Sequence, residues 1–389
     1  MIMRRVYLDN AASTPMDPEV LASVRSAMEY CYGNASSLHT EGARAKEMLE
    51  QSRRSLASFL RCSPEEVFFT SGGTESNNWA IKGFAFANQD KGNHIIVSSV
   101  EHECILNACR WLATHGFQIT YLPVDHAGHV DPSILLKLIR NETILVSVMH
   151  VNNEIGTIQP LSEIGKITRE KGIAFHTDAC QSFGKIPVNP SESSLEMISV
   201  NAHKIYGPKG VGALYVRKGT RLEPLLHGGG QEKGYRSGTE NIPGIVGFVK
   251  AAEICMENME KERVRTSLMR EILINRLSEQ FDNVYFSRDP EHCVPGIINF
   301  AIGGQEGEAI RLLFLLDEAG ISVSTGSACS NNHGEHSGSH VLRAIGLNPV
   351  EARGAIRVSP GRFTSSDDID YFCDIISHSI QKLNPIFSF

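Results

Sequence analysis

Between residues 65 and 220, short β-branched and apolar runs alternate with longer stretches of helical period. The runs at 67–70, 94–98, 118–124, 143–149, 173–178, 197–200 and 211–216 are predicted strands. Several are apolar along most of their length, the pattern of strands covered on both faces. Strands separated by crossover-length helical segments predict a mainly parallel α/β sheet. Residues 41–60 read as one helix, with Ala45, Met48, Leu49, Leu56, Phe59 and Leu60 largely on one face. A second, longer helix is expected from Pro243 to about Phe281. It is apolar at both ends and charged over 257–265, as a helix connecting two lobes would be. Strand-like and helical pieces at 296–300 and 307–319 predict a smaller α+β lobe. The boundary is placed near 258, with residues 15–258 in the large domain and 1–14 and 259–389 in the small one.

Composition narrows the class. The 389 residues suffice for two lobes, and 41% apolar with 21% charged residues is ordinary for a globular protein. A net charge of −7 gives no basic surface for nucleic acid or membrane. No uninterrupted apolar run reaches membrane-spanning length, and the N-terminus does not read as a secretory signal. The nine cysteines, at 31, 62, 104, 109, 180, 255, 293, 329 and 373, are odd in number and contain no CxxC. That pattern argues against a disulfide framework and for a reducing, cytoplasmic setting.

Three segments can carry chemistry. Ser71-Gly72-Gly73-Thr74-Glu75-Ser76 follows a predicted strand and precedes a helix expected from about Asn77. Its glycines allow close backbone approach, and a helix start with the Thr74 hydroxyl suits a phosphate; it reads equally as a capped turn. Asp178 ends an apolar strand, where open α/β sheets bind ligands, or is simply a helix cap. Lys204 follows a strand directly and precedes a Gly-Pro turn. There it can form a Schiff base or snorkel to solvent, a role that suits Lys209 better. Taken together, a phosphate turn, an acid and a lysine at neighbouring strand ends are the three contacts of pyridoxal 5'-phosphate (PLP).

The chain resembles the NifS/IscS-type cysteine desulfurases, class V aminotransferase relatives among the fold-type I PLP enzymes. The resemblance rests on FTSGGTESNN (69–78), EH (101–102), MHVNNEIG (149–156), HTDACQ (176–181), HKIYGPKG (203–210), HGGGQE (227–232), RSGTEN (236–241) and STGSAC (324–329). It implies a large domain with a mainly parallel seven-stranded sheet and a smaller α+β domain. It implies that Lys204 carries PLP, Asp178 pairs with the ring nitrogen and Gln181 with the ring oxygen, while His102 stacks on the ring. Gly73, Thr74 and His203 would hold the phosphate, with Thr239 from the partner of a homodimer; Asn153 would lie beside the cofactor. Asn34 and Arg357 would hold the substrate carboxylate, a task suited to the planar guanidinium.

Cys329, in a polar glycine-rich stretch, stands where the family places its sulfur-accepting nucleophile. The implied reaction takes sulfur from L-cysteine, leaving L-alanine and a Cys329 persulfide for an acceptor such as an iron–sulfur scaffold. Four positions depart from the commonest pattern. Ala35 replaces a proline after Asn34, Asn201 a phosphate-binding serine, and Pro360 a leucine. The Asn201 amide can still donate. The fourth departure is the stretch SNNHGEHSGSH after Cys329, whose His333-Gly334-Glu335 resembles selenocysteine lyases and makes L-selenocysteine the alternative substrate. His333, His336 and His340 could tune Cys329 or hold a metal, but a solvated polar loop is favoured and no metal is expected. A catalytically silent sulfur-relay protein is the alternative of another class; the intact Lys204, Asp178 and His102 argue against it.

Overall fold

The apolar runs of the first 220 residues pair into one sheet. The computed structural model describes residues 4–286, 289, 291–325 and 338–383. Among these, β1 (Val6–Tyr7) precedes β2 (Val67–Thr70), β3 (His94–Ser98), β4 (Gln118–Leu122), β5 (Thr143–Ser147), β6 (Ala174–Asp178), β7 (Met197–Asn201) and β8 (Gly212–Val216). The last seven form a sheet in the order β2-β8-β7-β6-β5-β3-β4. From β4 across to β7 the neighbours run parallel, and β8 runs antiparallel to both β7 and β2. This is the expected mainly parallel seven-stranded sheet. Strands β2, β3, β5, β7 and β8 are buried throughout, because helices cover both faces. The two faces carry separate apolar clusters, one around Leu56, Phe175 and Phe248, the other around Trp79, Ile105 and Leu145.

Three predicted boundaries shift, each for an identifiable physical reason. The run 118–124 ends as a strand at Leu122; Pro123 has no N–H for the ladder, and Val124 keeps only a bridge to Val130. The run 143–149 ends at Ser147, and the Met149 N–H is taken by the Glu101 carboxylate at 2.5 Å. The helix expected near Asn77 begins at Gly73, because Gly72 at φ +148° turns the chain out of β2 at once.

The helix Ile242–Gln280 begins where Asn241 caps the Gly244 N–H at 3.2 Å. Its Ile245, Phe248, Ala251, Ala252 and Cys255 enter the large core. Met269, Leu273 and Leu277 enter a second core. That core lies against an antiparallel sheet of β9 (Val284–Phe286), β10 (Ile298–Ile302) and β12 (Ile356–Val358), with β11 (Ile321–Ser322) pairing parallel to β1. Val6 and Leu8 belong to this second core, and Asp9 bridges to Ser359. The chain start thus leaves the second core and brings the Ala11 carbonyl to Lys204 and Gln181 near the ends of the large sheet's strands.

Candidate active site at the strand ends

Strands β2, β6 and β7 point the same way, so their C-terminal ends share one edge, where an open α/β sheet binds its ligands. The turn after β2 offers a helix start with unused N–H groups. A cleft there is lined by Ser13, Gly73, Thr74, His203 and Lys209, a donor set suited to an anion. Gly73 admits no side chain: a Cβ would stand 2.6 Å from Cys180 Sγ and 3.2 Å from Asn201 Nδ2. Asn201 is buried at the end of β7, and its Oδ1 has no hydrogen-bond partner in the structure.

Asp178 ends β6 and is buried. Its Oδ1 accepts from the Cys180 N–H at 2.9 Å and its Oδ2 from Asn77 Nδ2 at 2.7 Å. Asn77 was not singled out from the sequence. The available signal was its place one helical turn after Gly73, on the same face of the helix. Lys204 follows β7, and its Nζ donates to the Ala11 carbonyl at 2.5 Å. The same carbonyl accepts from Gln181 Nε2 at 2.8 Å. Beyond Lys204 the chain turns sharply. Ile205 and Gly207 both donate to the Ala202 carbonyl, and Tyr206 sits at φ +67°, held by Thr14 and beneath Arg362.

His102 caps the helix Glu103–Ala113 through Nδ1, which accepts from the Cys104 N–H at 3.2 Å. Burial pushes its pKa down, Asp178 opposes and Lys204 adds to the drop, so the three groups lie within electrostatic reach. Burial, reinforced by Lys204, Lys209 and Lys185, pushes His203 down to about 4. At neutral pH that ring is uncharged; its Nδ1 lies 3.3 Å from Ser13 Oγ.

Arg357 on β12 is buried; its Nη2 donates to Asp9 Oδ1 at 2.8 Å and its Nη1 to the Asn153 carbonyl at 2.9 Å. Its Nε has no hydrogen-bond partner. Lys204, Asp178, Gln181, His102, His203, Gly73, Thr74 and Asn201 are therefore gathered at one edge, and Arg357 ties Asn153 to the chain start that reaches it. Asn34 and Thr239 are not gathered with them. Both are exposed, and Asn34 uses its Oδ1 to accept from the Ser36 N–H. Cys329, His333 and His336 lie outside the described residues. His340 does not belong to a solvated face: it is partly buried, and its Nε2 lies 2.9 Å from the Glu101 carbonyl. The other eight cysteines all have thiols pushed up by burial, Cys62, Cys104, Cys109 and Cys373 to about 12. Buried thiols of this kind are poor nucleophiles at neutral pH.

The class-V aminotransferase family pattern matches residues 6–372. The chain belongs to the class-V aminotransferase family. It stands there with the IscS-type cysteine desulfurases. It is 48% identical over 384 residues to the cysteine desulfurase IscS of Dictyoglomus turgidum, covering 98% of this chain and 96% of the relative. It is 44% identical over 380 residues to the IscS of Methanosarcina thermophila, covering 98% and 93%. Among solved structures, a NifS-like protein superposes with a TM-score of 0.90 at 37% identity, covering 97% of this chain and all of that one. A protein described as SspA in complex with cysteine superposes at 0.82 with 37% identity, covering 92% and 100%.

The site residues fit PLP. The cleft beside Gly73 can take a phosphate, the buried Asp178 can face a ring nitrogen, and Lys204 directly follows His203, which lines that cleft. A Cβ on Gly73 would close that cradle.

Proposed function

We propose that the chain is a PLP-dependent cysteine desulfurase that moves the sulfur of L-cysteine to Cys329. The observation that carries this reading is the convergence of Lys204, Gln181 and Asp178 at adjoining strand ends, next to a helix start with no room for a side chain. Bound there, PLP supplies an electron sink for the bonds at the substrate α-carbon.

The residues divide the work. Lys204 holds the cofactor and, once released, moves the α-proton. Asp178, fixed by Asn77 and the Cys180 N–H, keeps a proton on the ring nitrogen. Gln181 donates to the ring oxygen. Gly73, Thr74, Asn201 and His203 hold the phosphate, joined by Thr239 from the partner subunit of a homodimer, for which its exposure leaves it accessible. With PLP bound, His102 would pack against the ring and Asn153 would stand beside it. Arg357 receives the substrate carboxylate at its unpartnered Nε edge. The Cys329 thiolate takes the sulfur. The balance needs no outside oxidant: cysteine and a thiol give alanine and a persulfide. The persulfide then passes to an acceptor such as an iron–sulfur scaffold. The cysteine count and the absence, among the described residues, of any helix long and apolar enough to cross a membrane are consistent with work in the cytoplasm.

The test is mass spectrometry of the PLP-loaded protein after exposure to L-cysteine. An added 32 Da on Cys329, with about one alanine released per site, is expected. No modification and no alanine, or the same alanine yield from Cys329→Ala, refutes the reading. L-selenocysteine is run in parallel; turnover of it alone, with cysteine only inhibiting, would assign the selenium substrate instead.

A further inference from the structure

Lys185 has no part in the roles above, yet it lines the same cavity as Lys204. It follows Gln181 by four residues, and its Nζ donates to Gln181 Oε1 at 2.8 Å. The other end of that amide, Nε2, donates to the Ala11 carbonyl at 2.8 Å, the carbonyl that also accepts from Lys204. A chain of contacts therefore runs from Lys185 through Gln181 and Ala11 to Lys204. The two ends of a glutamine amide are nearly the same size, so packing alone does not choose between them. An ammonium can. It has three donors and no acceptor, so the atom facing it must be the amide oxygen. The amide nitrogen, with its second N–H, is thereby turned toward the Lys204 side.

We propose that Lys185 is a positioning residue that fixes the orientation of the Gln181 amide, so that an N–H rather than an oxygen faces the ring oxygen of PLP on Lys204. The proposal rests on the cofactor reading given above. The groups that act on the Lys185 amine are Lys204 and Arg357, both cationic, and the thiols of Cys255 and Cys180; Glu262 and Arg362 line the same cavity. Burial, with Lys204 and Arg357 reinforcing it and the thiols opposing, brings the amine down to about 7. Uncharged, the amine gains a lone pair that an amide N–H could face, so the choice of the Gln181 oxygen belongs to the ammonium form.

The readout is the visible absorption of the PLP-loaded protein, titrated from about pH 6 to about pH 10. A donor to the ring oxygen and a nearby cation both favour the deprotonated form of the bound cofactor. Lys185→Met removes the cation and one of the two constraints on the amide, leaving the Ala11 carbonyl, which can only accept. Its titration midpoint is expected to rise by about one unit, a tenfold change in the proton equilibrium. Lys185→Arg keeps a donor and a charge throughout the titration, so its midpoint should not rise above the wild-type value. Lys185→Gln, which removes the charge and shortens the reach to Gln181, is expected to shift the same way and serves if the methionine variant does not fold. A Lys185→Met or Lys185→Gln midpoint within about 0.3 unit of wild type overturns the proposal. A wild type with no Lys204-dependent visible band overturns the cofactor reading and this proposal with it. A normal wild-type band with an unmoved variant midpoint overturns this proposal alone.

Discussion

The buried ion pair between Arg53 and Glu232 should be one of the most costly side-chain contacts to break. Their side chains are only 4% and 2% exposed. Arg53 Nη1 donates to Glu232 Oε2 at 2.8 Å and Nη2 to Oε1 at 2.7 Å, a two-pronged geometry. Nη1 also donates to the Val67 carbonyl, and Nε reaches Glu50 at 3.3 Å. Glu232 accepts in addition from the Phe69 N–H at 2.9 Å, and its own backbone sits at φ +47°. Arg53→Met leaves that carboxylate buried with one backbone partner, a loss of about 3–5 kcal/mol. Glu232→Gln should cost less, because the guanidinium keeps Val67 and the half-exposed Glu50. The double variant should cost less than the sum, with a coupling of about 2 kcal/mol. Urea unfolding of the four proteins at one pH, compared at a common slope, measures the cycle. Additivity within about 0.5 kcal/mol, or a loss below about 1 kcal/mol for Arg53→Met, would falsify the reasoning. The loss should also reach the cofactor, since Phe69 lies two residues before Ser71 on the strand that leads into the Gly73 cradle.

Three further outcomes follow from the site and its buried charges. Gly73→Ala should weaken PLP binding by at least about tenfold, the equivalent of about 1.4 kcal/mol, and Cys180→Ala in the same chain should restore part of it by removing the sulfur 2.6 Å from the new methyl; equal loss with and without Cys180 counts against the cradle. Burial pushes Glu154 up to about 7, against Ser339 and Arg357, so the folded chain binds a proton there that the unfolded chain has released above about 4.5. Stability from this group is full below the unfolded value and falls as pH rises toward about 7; Glu154→Gln should flatten that fall in unfolding midpoints measured across the window, and an unchanged slope refutes it. Burial pushes His176 down to about 4, so the unfolded chain takes the proton first; stability should fall as pH drops from about 6.5 to about 4, and less steeply in His176→Leu, which loses the contacts to Ser147 and Ser199.

Local pattern carried much of the fold. Strands β2 and β3 start and stop where their apolar runs do, because two-sided burial and nearby turn residues are both visible along the chain. Boundaries slipped where a non-local partner intervened: Met149 leaves the ladder for Glu101, 48 residues away. The site was legible in part. Glycine, acid and lysine at the C-terminal ends of β2, β6 and β7 point to a cofactor because strands that run the same way bring those ends to one edge. Asn77 and Lys185 were not legible, since an amide and a lysine carry no signal until their partners, Asp178 and Gln181, are placed beside them.

By itself the sequence determined the α/β class, the seven strands and the family motifs that name the chemistry, because these rest on period, turn residues and adjacent positions. Only the tertiary structure decided that Ala11, from the chain start, joins Lys204 and Gln181, that Arg357 is tied to Asp9 and Asn153, and that the eight described cysteines are buried or half-buried with thiols pushed up by desolvation. The physical reason is common to all three. Hydrogen-bond direction and desolvation depend on which groups meet in space, and residues far apart along the chain do not record that meeting.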